Sequence, residues 1–251
     1  MKKILIGVTL LMAIIYAAGE FMMSPRGTWR YKMTVEIETP EGVKVGSAVR
    51  EINVIHGIKI TPESHPSISL KGEAVAVDLG ERGMVFALLN DAESLVFKAF
   101  PIPGKIPGGG GTTPEGIRYY AQLKTGSAVL PPKWVPMMVT FTDRNDPASV
   151  ELVYQSELDF QNSTPSKGTH YNITDNFESI FGNGVKLKQV KIEMTEDPVT
   201  VEVVKWLPWL PEYYGQLLDK RRFHTFEAQN KLANSLGAGS FAVNTIKRNN
   251  K

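Results

Sequence analysis

The sequence predicts an α+β protein that is mainly antiparallel β-sheet with short helices, preceded by one N-terminal transmembrane or signal helix. Three observations lead to this prediction. Residues 4–23 form an apolar run that carries a single charge, Glu20. Residues 29–38 alternate strictly between apolar and polar side chains, which is typical of a half-buried strand. Short segments with helix-start signals lie between the later extended runs.

The N-terminal run has two interpretations, which the residues leave open. Small residues at 17–19, behind a basic start and an apolar core, fit a cleaved export signal. An uncleaved anchor is favoured because residues 4–23, at roughly 1.5 Å per residue, span about 30 Å, the hydrocarbon thickness of a bilayer. Phe21, Met22 and Met23 also favour the anchor, because a cleaved signal needs no apolar residues beyond the cut.

These interpretations predict where the protein lies. Basic residues stand on both sides of the apolar run, so the positive-inside rule nearly cancels. Short basic N-termini usually stay in the cytoplasm, which predicts a single-pass inner-membrane protein whose domain faces the periplasm. The alternative is export to the periplasm after signal cleavage. The chain has no cysteine, which excludes a lipoprotein, disulfides and thiolate chemistry.

The first hairpin is predicted from residues 29–55. The alternating run ends at Thr39-Pro40-Glu41-Gly42, where proline presets the turn and glycine gives it freedom. Residues 43–55 then return as a second extended run. A second hairpin is predicted with strands at 67–79 and 84–89 and a turn at 80–83.

Short helices and further strands are predicted after the second hairpin. Asn90-Asp91 precedes a helix at 92–99, and a proline- and glycine-rich break at 101–113 precedes a helix that starts at Thr113-Pro114-Glu115. The remaining predictions are strands at 134–143 and 185–194, a short strand at 150–154, a polar insertion loop at 155–171 and a short helix at 175–181.

The chain is accordingly divided into three parts. Residues 1–23 are the signal anchor or signal peptide, and residues 24–211 are a β-rich globular domain. Residues 212–251 are predicted to be a partly helical extension, with helical character up to residue 236 and a loose tail from residue 237.

Composition and motifs exclude several functions. There are 28 basic and 26 acidic residues, a balance that does not favour nucleic acid as a partner. The four histidines lack metal-ligand spacing, the Gly108–Gly111 run lacks the lysine of a phosphate loop, and Gly-x-Ser-x-Gly does not occur. No catalytic residue, metal ligand or cofactor is therefore predicted.

One aromatic cluster is a candidate binding feature. Trp206, Trp209, Tyr213 and Tyr214 lie close together around Pro208 and Pro211. They either pack the C-terminal segment onto the sheet, anchor the protein at the membrane interface, or form a docking patch for a partner.

Several stretches resemble an uncharacterised family of bacterial membrane-anchored proteins. They are residues 29–35 with 38–42, then 46–49, 72–79, 146–147, 182–188 with 197–200, and 207–210. The resemblance covers most of residues 29–210; it implies a shared architecture and supplies no catalytic residues. The insertion at 155–171 and the C-terminal stretch depart from it.

Two functions remain as hypotheses. The first is a non-enzymatic, membrane-tethered envelope protein that binds another envelope component, with the membrane and an envelope protein as partners. The second is a hydrolase or transferase whose site is assembled from distant Asp, Glu and His residues. Asp143, Asp146 and Asp175 are examples, although their spacing gives no reason to expect them together.

Overall fold

The structure is a computed structural model that describes residues 25–57, 65–163 and 169–245, together with Met12. The predicted N-terminal helix and the end of the predicted tail therefore lie outside the described residues. Within these described ranges, no helix has the length and apolarity needed to cross a bilayer.

The described chain is mainly antiparallel β-sheet with a few short helices, which confirms the predicted class. The strands are β1 (Arg26–Thr39), β2 (Gly42–Ile55), β3 (Ser67–Glu73), β4 (Val75–Asp78), β5 (Met84–Ala87), β6 (Ser127–Val129), β7 (Met138–Phe141), β8 (Val150–Leu158), β9 (Tyr171–Asp175), β10 (Lys186–Thr195) and β11 (Ala242–Val243). The α-helices are α1 (Ala92–Ala99), α2 (Pro114–Gln122), α3 (Phe177–Phe181) and α4 (Val203–Trp206).

The strands form two sheets. Sheet 1 has six strands in the order β11-β3-β2-β1-β10-β6, and sheet 2 has five in the order β4-β5-β7-β8-β9. Each pairing between named strands is antiparallel. The predicted first hairpin is confirmed as β1 and β2, paired from Arg26 with Ile55 to Thr39 with Gly42.

The predicted strand at 67–79 is in fact two strands. It breaks at Ala74, so that β3 belongs to sheet 1 and β4 to sheet 2. The chain passes from sheet 1 to sheet 2 at this point, and apolar side chains of both strands are buried in the same core. Close approach between them depends on Gly46 of β2, where an added Cβ atom would lie 2.1 Å from the carbonyl oxygen of Ala76.

Sheet 2 is covered on both faces. Val85 and Ala87 of β5 belong to a core shared with sheet 1 and helices α1 to α3, whereas Met84 and Phe86 belong to a second core. All four residues of β5 are buried, as expected for a strand with no solvated face. The second core is completed by residues 203–242, which lie across the other face of sheet 2.

The C-terminal segment therefore differs from its prediction. The structure has no α-helix between Leu207 and Thr245, where turns and two 3₁₀ segments (Leu210–Glu212 and Ala238–Ser240) carry the chain. Ala238, Phe241 and Ala242, predicted to be loose, are buried. The segment is irregular because it follows the contour of a sheet face, and its apolar residues have no helical period to direct a helix.

Other elements differ mainly in length. The strand predicted at 134–143 is reduced to β7 behind a 3₁₀ turn at Pro132–Trp134. The predicted insertion loop at 155–171 contains the end of β8 and the first residue of β9. The helix predicted at Thr113 is confirmed, with the Thr113 hydroxyl accepting a hydrogen bond from the Gly116 amide at 3.1 Å.

An exposed ion pair joins the β1–β2 turn to the β4–β5 turn and predicts a pH dependence. Arg82 donates to both carboxylate oxygens of Glu41, at 2.7 and 3.1 Å. This hydrogen bonding lowers the pKa of Glu41 from 4.5 to about 2. A lowered pKa in the folded state means that the stabilisation is present above pH 4.5 and is lost as the pH falls through about 2.

We expect Glu41→Gln to have a lower Tm than the wild type above about pH 4.5 and to converge with it as the pH falls through about 2, so that the dependence of Tm on pH is flatter within this acid window. The measurement is a series of thermal melts across the window. Glu81→Gln, in the neighbouring turn, is the control for loss of a carboxylate. An unchanged acid slope in Glu41→Gln would contradict the assignment.

Candidate functional site

The four aromatic residues of the predicted patch do not form one exposed surface. Trp209 and Tyr213 are buried, at 8% and 7% exposure, whereas Trp206 is 36% exposed. The Trp209 indole nitrogen donates to the carbonyl oxygen of Arg144 at 2.8 Å, and its ring lies against Phe141. Burial on the face of sheet 2 removes more apolar area from water than a surface position would, so these rings serve packing.

Tyr214 is half-buried and also bonds within the segment. Its hydroxyl lies 3.3 Å from the carbonyl oxygen of Ala242, to which it donates. Of the alternatives that the sequence left open, packing onto the sheet describes Trp209 and Tyr213. Trp206 is the member of the cluster with the most exposed ring.

The carboxylates considered for a hydrolase or transferase are held in local turns. Asp143 and Asp146 lie in the turn before β8, where they accept hydrogen bonds from the amides of Asn145 and Ala148. Asp175 pairs with Tyr154 within sheet 2 and accepts from the Phe177 amide. Among the described residues, no three His, Cys, Asp or Glu side chains are grouped so as to hold a metal ion.

The histidines are also dispersed. The His56 ring nitrogen Nδ1 lies 3.1 Å from the carbonyl oxygen of Thr112, His65 is exposed and His170 lies just before β9. His224 is exposed and lies in the loop that runs from Asp219 to Lys231.

This loop, residues 219–231, is here called the basic aromatic loop. Phe223 is 80% exposed and Phe226 is 99% exposed. The basic side chains of the loop are exposed as well; they are Lys220, Arg221, Arg222 and Lys231. Its two carboxylates are Asp219 and Glu227. Large apolar side chains that stand in water beside several cations are a feature that packing does not explain.

The loop is held firmly at its base. Asn234 is buried, at 3% exposure, and its amide nitrogen donates to the Asp219 carboxylate at 2.8 Å and to the Phe223 carbonyl at 3.3 Å. Its amide oxygen accepts from the Thr225 backbone amide at 2.6 Å. One buried side chain thus ties together three positions of the loop, so the phenylalanines are presented by an ordered backbone.

A second asparagine attaches the loop to sheet 2. The Asn230 amide nitrogen donates to the carbonyl oxygens of Ala148 and Val150, at 2.9 and 3.0 Å. A cavity of about 470 Å³ lies at this junction, lined by Asp146 and Asp219 among others. Asp219 already accepts from Asn234 and from the Arg221 backbone amide. Its carboxylate therefore stabilises the loop.

A shallow apolar cavity accompanies the exposed rings. It has a volume of about 320 Å³ and is lined by His224, Thr225, Phe226, Lys231 and Asn234. Sequence reasoning missed this site because the phenylalanines of a mixed segment are ordinarily core residues. The available signal was Lys-Arg-Arg-Phe-His-Thr-Phe at 220–226, in which three consecutive cations are followed by two phenylalanines.

Comparison with protein-family models, with curated proteins and with solved structures gave no match. The function of the chain therefore has to be argued from its own geometry.

Proposed function

We propose that this protein is a non-enzymatic, membrane-tethered envelope protein that binds another envelope component through the basic aromatic loop. The observation that carries the proposal is the pair of exposed phenylalanines, Phe223 and Phe226, on a loop fixed by Asn234 and bordered by cations. An ordered apolar projection of this kind is typical of a binding surface.

The free energy available from the two rings suits a contact made by a tethered protein. Removing one phenylalanine side chain from water contributes about 1.5–3 kcal/mol, so the pair contributes about 3–6 kcal/mol. That amount scarcely offsets the loss of translational and rotational freedom in a bimolecular association, which costs upward of about 4 kcal/mol. At the effective concentration on the order of millimolar that anchoring provides, half-occupancy needs a net contribution of about 4 kcal/mol, so the four cations of the loop have to add to the two rings.

The tether in this proposal is the apolar run at residues 4–23, retained as a single-pass anchor in the inner membrane. The globular body, which begins only a few residues later at Arg26, then lies in the periplasm close to the bilayer. Export of the body after cleavage of the run is the alternative form of the proposal.

The test measures whether the loop is covered in the envelope. Because the chain has no cysteine, His224→Cys creates a unique thiol on the exposed part of the loop and leaves both Phe223 and Phe226 in place. We expect this thiol in spheroplasts to react with a membrane-impermeant maleimide about tenfold more slowly than after detergent solubilisation, since a tethered contact is mostly occupied.

Phe160→Cys is the matched control. Phe160 is 81% exposed, yet its neighbours Glu157 and Asp159 are acidic. Its thiol should react at the same rate before and after solubilisation. Equal rates for His224→Cys under both conditions would contradict the proposed function. Reaction of the Phe160→Cys thiol only after lysis would contradict the periplasmic location.

A further inference from the structure

We propose that the component bound by the basic aromatic loop is the anionic phospholipid surface of the membrane itself. The inference rests on the proposed function and names the partner of the same site. It follows from the chemistry of the loop, from its size and from its rigidity.

The chemistry of the loop matches the two layers of a membrane interface. The rings of Phe223 and Phe226 have no polar atom and suit the acyl boundary just beneath the headgroups. Lys220, Arg221 and Arg222 precede them directly, and their long stems allow the charges to remain among phosphate groups while the rings lie deeper. Protein-binding hot spots favour tryptophan, tyrosine and arginine, whose polar groups pair with a partner.

The carboxylates of the loop do not cancel this attraction. Asp219 is occupied by the Asn234 amide at 2.8 Å and lies 3.7 Å from the Arg221 guanidinium. Glu227 is exposed, and its single negative charge is smaller than the summed positive charge of the four cations. The net charge that the loop presents is therefore positive, and anionic lipid complements it.

The size of the projection also favours lipid. A specific protein interface buries about 800 Å² on each partner, usually from 20 or more residues. The projection consists of two rings and a few cations, which is enough to hold a tethered domain against a bilayer. The ordered backbone at Asn234 means that little conformational entropy is lost when the rings enter the interface.

The test places a nitroxide on the His224→Cys thiol of the full chain, between the two rings that are proposed to insert. The labelled protein is reconstituted into vesicles of three parts phosphatidylethanolamine to one part phosphatidylglycerol, and separately into phosphatidylcholine vesicles. We expect the label to become accessible to oxygen and shielded from a water-soluble nickel reagent in the first vesicles. The same label should remain in water in the second.

Two further variants complete the experiment. The Phe160→Cys label should remain accessible to nickel in both vesicles. A variant with both Arg222→Gln and Lys220→Asn should show insertion of the label at position 224 that is weaker by about tenfold or more, since each cation near an anionic surface changes partitioning roughly fivefold. Asparagine suits position 220, where φ is +67°.

The outcomes separate this inference from the proposed function. A label at position 224 that stays in water in phosphatidylglycerol vesicles, while the unlabelled thiol is protected in spheroplasts, would mean that the partner is a protein, and would overturn the inference alone. Equal insertion into phosphatidylcholine, or in the charge variant, would overturn the requirement for anionic lipid. Failure of both experiments would overturn the function as well.

Discussion

Phe241→Ala is expected to lower the free energy of unfolding by about 3–5 kcal/mol, the usual cost of removing a fully buried phenylalanine. Phe241 is completely buried, and its ring lies 6.2 Å from Phe86, 5.8 Å from Phe141 and 6.0 Å from Trp209, measured between centroids. It thus occupies the centre of the core that the C-terminal segment builds on sheet 2. Truncation leaves a cavity among rings that cannot collapse without moving strands β5 and β7.

The matched control is Phe226→Ala, which removes the same side chain from a position that is 99% exposed. We expect this change to alter stability by less than about 0.5 kcal/mol, as is usual for a surface substitution. Urea unfolding followed by tryptophan fluorescence measures both variants. Similar losses in the two would mean that the C-terminal segment does not pack as described.

Glu73→Ala is expected to cost about 2–4 kcal/mol, because it leaves one buried and one part-buried backbone amide without acceptors. Glu73 is 3% exposed, and its two carboxylate oxygens accept from the amides of Glu202 and Val203, both at 2.9 Å. These bonds join the end of β3 to the start of α4, where the C-terminal segment begins to cross sheet 2.

The same site holds a second buried charge. Arg50 is fully buried and donates through Nε to the main-chain oxygen of Glu73 at 3.0 Å. Glu73→Ala keeps this main-chain acceptor, so its expected cost comes from the carboxylate bonds to the amides of residues 202 and 203. Burial raises the pKa of the Tyr31 hydroxyl on the paired strand, and the charge of Arg50 opposes this increase.

Glu73→Gln distinguishes hydrogen bonding from packing. Glutamine retains the volume and one acceptor oxygen, so we expect a loss of about 1–3 kcal/mol. Urea unfolding of both variants gives the comparison. If Glu73→Gln and Glu73→Ala were equally mild, the two backbone bonds would contribute little, and the attachment of α4 would have to depend on its apolar contacts.

The parts of the fold that the sequence predicted correctly are those set by short-range signals. The period of two in β1 predicts which residues face the core, and Tyr31, Met33 and Val35 are completely buried. Thr113 predicts the start of α2 because its hydroxyl accepts from an amide only three residues away. Such interactions need no distant partner, so the local sequence is sufficient.

The packing of the C-terminal segment could not be predicted from local sequence in this way. The burial of Phe241 depends on Phe86 and Phe141, which are a hundred or more residues earlier in the chain. No periodic pattern marks a segment that follows the surface of a sheet irregularly. The same reason applies to the aromatic cluster, because Trp209 and Tyr213 are buried against that same face of sheet 2.

The sequence alone determined the antiparallel β-rich class, the first hairpin, the capped helix at Pro114 and the apolar run from which membrane tethering is proposed. Only the tertiary structure decided which phenylalanines are buried and which stand in water. Phe226 and Phe241 are chemically identical; three cations close to Phe226 hint at its exposure, but no neighbour of Phe241 in the sequence reveals its burial. Long-range contacts assign one to the core and leave the other on a loop beside four cations, because burial depends on which distant surface a residue meets.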